Sequence, residues 1–288
     1  MKDSANKVKF SSYDDLFGGK ADAGQEQVLT VKLNALHDFK DHPFRVIDNE
    51  EMQELAESIK ARGVLVPGLV RPRQEGGYEL IAGHRRKHGS VLAGREEMQV
   101  ICRDLSDDDA TVVMVDSNIQ RENLLPSEKA FAYRMKMEAL RHQGRKGINT
   151  AQEVGKKAGD DTRKVQRYIR LTYLNKKLLT AVDDKKIPVI AGSEISFLKE
   201  QEQVWLLECI DDLERYPNGS IAAELKKYSQ SGELTKAVIE VLLKEKGPDF
   251  VKVNINIREF FPDDYDKEQI VGVVYSLLEG WKAEQGAE

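Results

Sequence analysis

The stretch YELIAGHRRKHGS, residues 78–90, constrains the fold more than any other part of the chain. Tyr78 to Ile81 reads as a strand, Gly83 permits a sharp turn, and a short helix follows from about Arg85 to Leu92. Adjacent arginines at the start of a helix usually face an anion, because the backbone amides of the first turn are unpaired and point the same way. A mixed α/β unit is therefore required, with a positively charged junction at one end of its sheet.

The surrounding pattern supplies the rest of that unit. Met52, Leu55, Ala56 and Ile59 share one helical face, Gly63 is placed to end the helix, and VLVPGLVRP continues as extended chain. RQEGGYEL gives a turn and a second strand, and MQVICRDL alternates Met98, Val100 and Cys102 as a half-buried strand does. Ser106 with Asp109 three residues on resembles an N-terminal cap, for a helix that runs out at DSNIQREN, residues 116–123. Residues 1–27 are polar and glycine-containing and read as a flexible arm.

The net charge of −5 hides a local excess. Residues 126–180 hold 14 Lys/Arg and 5 Asp/Glu, a local charge of +9, which leaves −14 elsewhere. Within that basic segment Ala130, Tyr133, Met137 and Leu140 form an apolar helical stripe behind Pro126, which suits a first helical position. After GRKG at 144–147, Ala151, Val154 and Ala158 point inward on a short helix, Gly159 to Asp161 turns, and Val165 and Ile169 point inward on the next. This is a helix-turn-helix pattern. It leaves Thr162, Arg163, Lys164, Gln166, Arg167 and Arg170 on the outer side of the second helix, a set suited to phosphate contacts and to reading base edges in double-stranded DNA. An internally packed helical hairpin is the plainer alternative. Tyr168 could touch the DNA backbone or pack inward.

Beyond Thr180 the chain stays helical and turns acidic, with a helical linker expected over 216–247. VKVNINI alternates as a strand and DKEQIVGVVYSLLEGWK reads as an apolar helix, so residues 248–288 form a βα piece too small for a core of its own and suited to pairing with a second copy. Trp205 and Trp281 fall in apolar helical patterns, as core or interface residues. Cys102 and Cys209 are far apart and in no C-x-x-C spacing, which removes a disulfide framework and a zinc ribbon and points to a reducing cytosol. His37, Asp41 and His42 read as a solvated loop rather than a metal site. The lack of a long apolar run gives the expectation of a cytoplasmic protein with no membrane partner.

GHRR and NIQREN are each weak signals, but together they supply Arg85, Arg86 and Arg121 with Asn118 and Gln120 as neutral ligands for phosphate oxygens or a metal-bound water. The order LAESIKARGVLVPGLVRP, YELIAGHRR, VDSNIQRENLLPSEKAFAY and then a helix-turn-helix resembles the ParB family of chromosome and plasmid partition proteins, over roughly residues 28–210. That resemblance implies an α+β chain: a small mixed α/β ParB/sulfiredoxin-like domain at 28–124, an all-α helix-turn-helix domain at 125–215, and a βα dimerisation segment at 248–288. It implies CTP and Mg2+ as ligands, a homodimer, a parS-like DNA site, a nucleoid-associated location and, among the family's partners, a ParA-type ATPase. By the same resemblance Gly83, His84, Arg85 and Arg86 match one phosphate motif, and Asn118, Ile119, Gln120 and Arg121 match the second, Asn118 being the metal candidate. Arg45 matches an early arginine of the family, and Gly63, Val64 and Leu65 begin the segment that faces the cytosine. Three positions depart from the pattern: His84 stands for a glutamate, Val66 for a glutamine and Ser117 for a glutamate. The last removes a carboxylate that could hold magnesium or orient water, so CTP hydrolysis is the doubtful part of the transfer, and helical spacing points Asp116 and Glu122 elsewhere.

Sulfiredoxin shares the α/β unit but places a cysteine before its His-Arg pair, where this chain has Gly83, so its redox chemistry is excluded. A kinase of this fold would not need the helix-turn-helix, and a nuclease would need clustered carboxylates. A transcription regulator that keeps the fold without a nucleotide switch is the remaining rival.

Overall fold

The computed structural model describes residues 28–121, 123–144 and 148–244, with scattered positions between 260 and 281. The described residues up to Lys244 belong to one compact unit and those from Phe260 onward to another. The arm at 1–27, Glu122 and the strand expected at Val251 to Ile257 lie outside the described residues.

Five strands form one mixed sheet: β1 (Val28–Lys32), β2 (Leu36–Asp38), β3 (Gly68–Pro72), β4 (Tyr78–Ala82) and β5 (Glu97–Cys102), in spatial order β1-β5-β3-β4-β2. The β1/β5 and β3/β4 pairs are antiparallel, whereas β2/β4 and β3/β5 are parallel. Side-chain alternation sends Val70, Leu80, Met98 and Val100 into a core with Val31, Leu33 and Leu36. Their neighbours Leu69, Ile81 and Ile101 join a different core, shared with the helices that follow the sheet.

Helix α1 (Glu50–Arg62) packs against α2 (His84–Leu92), where Gly89 admits the Ile59 and Leu55 side chains. Asn49 caps α1 through the Met52 amide, and Gly63, at φ 76°, ends it as its position in the sequence suggests. Ser106 caps α3 (Asp107–Asn118) by accepting from Asp109 N at 3.1 Å. Then come α4 (Pro126–His142), α5 (Ile148–Lys156), α6 (Thr162–Leu171), α7 (Lys176–Asp183), α8 (Val189–Ile195), α9 (Glu200–Leu213), α10 (Gly219–Ser231) and α11 (Lys236–Lys244).

The helices are divided between two cores, and the seam runs through α4 and α6 rather than between the sheet and the helices. Tyr133, Met137, Leu140, Ala151, Val154 and Val165 share a core with Ile81, Ile101 and Met114. Ala130 and Leu171 instead belong to a purely helical core built from α7 to α11. Tyr168 packs against both, which resolves its orientation as inward. Of the helical linker expected over 216–247, the described residues Ala222, Leu225, Leu234, Ile239, Leu242 and Leu243 join the helical core, and Trp205 packs partly buried against it. Among the described residues no helix is long and apolar enough to cross a membrane.

Candidate functional site

The junction at Gly83 is built on a left-handed glycine. Gly83 has φ +112° and caps α2, and a Cβ there would lie 3.2 Å from the Arg86 guanidinium. Arg86 therefore folds back over the start of its own helix, where Nη1 donates to the carbonyls of Val66 and Pro67 at 2.5 and 2.6 Å. This ties the segment beginning with Gly63, Val64 and Leu65 to the arginine motif. Val64 is partly buried against the sheet core, while Leu65 is 70% exposed. Arg85 pairs with Glu51 in the first turn of α1 at 3.1 Å.

Arg121 follows the end of α3 and is partly buried. Burial holds its pKa below the ordinary arginine value, the positive field of Arg85 adds to this, Glu128 opposes it, and Arg86 lowers it again. The charges of Arg85 and Arg86 both bear on Arg121, which puts the two motifs, distant in sequence, in one electropositive neighbourhood, the arginine cradle. Glu128 is the site residue that sequence reasoning missed. It reads as a helix-start residue, and its carboxylate does accept from Leu125 N at 2.9 Å, but it also accepts from Arg45 N at 2.7 Å and faces Arg121. The Arg45 guanidinium is directed to Asp183 in α7, 3.6 Å away.

The second motif is arranged as a helix end. Asn118 is buried, and its amide nitrogen donates to Met114 O at 2.8 Å and to Ser117 Oγ at 3.1 Å, so its carboxamide oxygen is the atom this motif offers a metal. Ser117 Oγ donates to Met114 O. Asp116 is held by Lys136, whose side chain is almost fully buried. Gln120 is exposed and reaches the other way, donating to Lys157 O at 2.9 Å beyond the end of α5.

His84 and His42 form one feature. Their ring centroids are 3.8 Å apart, and Nε2 of each is buried without a hydrogen-bond partner. Burial, reinforced by the charge of His42 and opposed by Asp38, pushes the His84 pKa down to about 3, and burial likewise lowers that of His42. Both rings are thus neutral near pH 7. His42 does not sit in a solvated loop as its sequence context suggests, because the Phe44 ring meets it edge-on and the His84 ring packs tilted against it. Among the described residues no group of three or more His, Cys, Asp or Glu side chains is placed to hold a metal ion.

The helix-turn-helix is held by close backbone approach and one buried carboxylate. A Cβ on Gly155 would meet Asp160 O at 2.2 Å, so only glycine fits where α5 enters the turn, and Gly159 at φ +69° completes it. Asp160 accepts from Tyr133 OH and pairs with Lys129 at 2.6 Å and Lys164 at 2.7 Å. Those cations and the tyrosine hydroxyl lower its pKa although burial alone would raise it. Asp161 caps α6 through Lys164 N. Arg163, Lys164, Gln166 and Arg167 are exposed as expected, and Thr162 is partly so. Arg170 departs from the expected outward set: its Nε donates to Ser196 Oγ at 3.0 Å and Nη2 to Ser196 O at 2.7 Å, which turns the side chain to the C-terminal end of α8.

Comparison with known proteins assigns the family. The ParB N-terminal domain matches residues 19–119. A probable chromosome 1-partitioning protein ParB of Deinococcus radiodurans is 38% identical over 184 residues, covering 64% of this chain and 61% of that protein. A nucleoid occlusion protein of Listeria innocua is 30% identical over 209 residues, 69% of this chain and 71% of that protein. The chain belongs to the ParB family. It spans less than two thirds of other family members, 61% of the Deinococcus protein and 47% of the chromosome-partitioning protein ParB of Myxococcus xanthus. A crystal structure of C-terminally truncated ParB from Caulobacter crescentus with the centromeric parS site aligns to 75% of this chain and 98% of that one, at 21% identity and a TM-score of 0.43.

Proposed function

We propose that this chain is a site-specific DNA-binding partition protein that closes as a CTP-dependent clamp. The observation that carries the reading is the bond from Gln120 to Lys157 O, because it joins the motif holding Arg121 directly to the helix-turn-helix. A ligand held in the arginine cradle then bears on the same hydrogen-bonded segment that leads into the turn before α6.

The residues fit a triphosphate. Gly83 gives backbone access at a helix start, Arg85, Arg86 and Arg121 provide converging charge, and Arg86 holds the Val66 and Pro67 carbonyls, just after Gly63–Leu65, beside them. Bound magnesium would neutralise phosphate charge, with Asn118 as the residue to hold it. Ser117 cannot supply the charge of a carboxylate, its hydroxyl is engaged with Met114 O, and Asp116 is held by Lys136, so we expect CTP to be bound firmly and hydrolysed slowly. DNA recognition is assigned to Thr162, Arg163, Gln166 and Arg167, with Lys164 placed by Asp160 at the helix start. Leu277, Leu278 and Trp281 are helical and more than half exposed, which supports a homodimer through the C-terminal segment. A ParA-type ATPase partner and a place on the nucleoid follow from the same reading.

The test is nucleotide binding and phosphate release with magnesium, with and without a duplex selected from a random pool by the protein itself. CTP should bind, DNA should promote closure, and phosphate release should be slow and accelerated in Ser117→Glu. The chain lacking residues 248–288 should sediment as a monomer without ligands. Sequence-specific DNA binding with no nucleotide bound under any condition would overturn the clamp and leave a helix-turn-helix regulator.

A further inference from the structure

At the C-terminal end of α6 cations and aromatic rings alternate across four helices. The Phe197 ring, just after α8, contacts both the Arg170 guanidinium, 3.8 Å from the ring centre, and Lys226 Nζ from α10, at 3.9 Å. Arg170 also lies 4.8 Å from the Tyr173 ring centre, and Arg134 from α4 is 5.5 Å from that same ring. The order is Arg134, Tyr173, Arg170, Phe197, Lys226. Both rings remain substantially exposed, Tyr173 at 54% and Phe197 at 42%.

A plain packing role explains part of this ladder, since cation–π contacts of this kind hold helices together. It does not explain why the rings stay exposed, or why the central cation is fixed by neutral acceptors. Arg170 is oriented by the hydroxyl and carbonyl of Ser196, so its direction is set while its charge is retained. Arg71 shows the contrasting arrangement, with Glu79 and Asp107 both on its guanidinium. Lys226 pairs with Glu194 at 2.8 Å and Arg134 with Glu138 at 3.0 Å, both partly exposed, and such pairs exchange readily for a phosphate.

The position of the ladder selects its partner. Helix α6 has 10 residues, about 15 Å of length, and the major groove is about 12 Å wide. When the N-terminal half of α6 reads base edges, its C-terminal end stands at the groove margin, where the sugar-phosphate backbone runs. We propose that the ladder from Arg170 through Phe197 to Lys226 is a second DNA contact, outside the helix-turn-helix, that grips backbone phosphates flanking the bases read by α6. The proposal rests on the DNA-binding reading and adds a surface to it.

Lys226→Gln in the full chain tests it, because that side chain is partly exposed and takes no part in the helix-turn-helix. On a duplex selected by the wild-type protein, the slope of log affinity against log salt should fall by ~0.9 and all sequences should weaken alike. Lys226→Arg should restore the slope, and hydroxyl-radical protection of the flanking phosphates should be lost in Lys226→Gln alone. Phe197→Ala, with the thermal midpoint checked, should weaken binding several-fold while leaving sequence preference unchanged. An unchanged slope and footprint in Lys226→Gln would overturn this proposal alone, and would point to an acidic protein partner if that variant lost such a contact instead. Failure of the wild-type protein to bind any duplex specifically would overturn the DNA-binding reading as well.

Discussion

The arginine cradle and the outer face of α6 are both cationic, yet they are built in opposite ways. In the cradle the cations are already committed, Arg86 to two backbone carbonyls, Arg85 to Glu51, and Arg121 crowded and partly buried. On α6 Arg163 and Arg167 project into solvent, and order comes from beneath, through Asp160 and the Tyr133 hydroxyl. A small polyanion must be surrounded, and surrounding it requires groups fixed in advance. A duplex is long and rigid, so a helix placed accurately can leave its own side chains to adjust.

The contrast breaks most severely at Asp160. Asp160→Asn leaves the mostly buried Lys129 without its carboxylate, while the exposed Lys164 is returned to water, and should cost about 1–3 kcal/mol of stability, read as a fall in the thermal midpoint with loss of DNA binding. A change of under ~0.5 kcal/mol, the range of ordinary surface substitutions, would show that the turn does not depend on it. In the cradle, Arg121→Ala should weaken CTP by ~100-fold while short-site DNA affinity stays within a few-fold. Equal loss of both ligands would merge the two regions into one site. On α6, Gln166→Ala should relax preference at one base pair, costing about 1–3 kcal/mol there and little elsewhere. Uniform loss across sequences would mean that Gln166 touches only backbone.

The smallest effect concerns pH. The folded His84 pKa, about 3, lies below the 6.5 of an unperturbed histidine, so below pH 6.5 the unfolded chain takes up a proton that the native chain refuses. Stability is therefore complete above pH 6.5 and declines as pH falls, until the native ring also titrates. Between pH 7.5 and 5.5, above the carboxylate range, His84 should account for a loss of about 1.4 kcal/mol. His84→Phe should flatten that part of the profile in urea titrations. A profile as steep as wild type would assign the dependence to other groups.

Much of this architecture is legible because it is periodic. The stripe Ala130, Tyr133, Met137, Leu140 and the spacing around Gly159 follow from local geometry, and all four stripe residues are buried. What sequence does not show is which distant segments meet. The packing of the His42 ring on His84, the bond from Arg45 N to the Glu128 carboxylate and the turning of Arg170 onto Ser196 are tertiary contacts with no period to announce them. Arg170 shows the limit most clearly: helical spacing places it outward with Arg163 and Arg167, and a serine just past the end of α8 decides where the guanidinium goes.

The seam through α4 and α6 has a consequence for how such proteins can be recombined. Grafting a foreign reading head at residue 124 would cut between Ile81, Ile101 and Met114 on one side and Tyr133, Met137 and Val165 on the other, opening an apolar surface on both fragments. The exchangeable part is instead the exposed lettering of α6, namely Arg163, Gln166 and Arg167, while Val165, Tyr168 and Leu171 stay with the host. Lineages that acquire new target sequences on this scaffold should therefore do so by point changes on one helix face, and a chimera intended to fold must carry α4 to α6 together with the sheet.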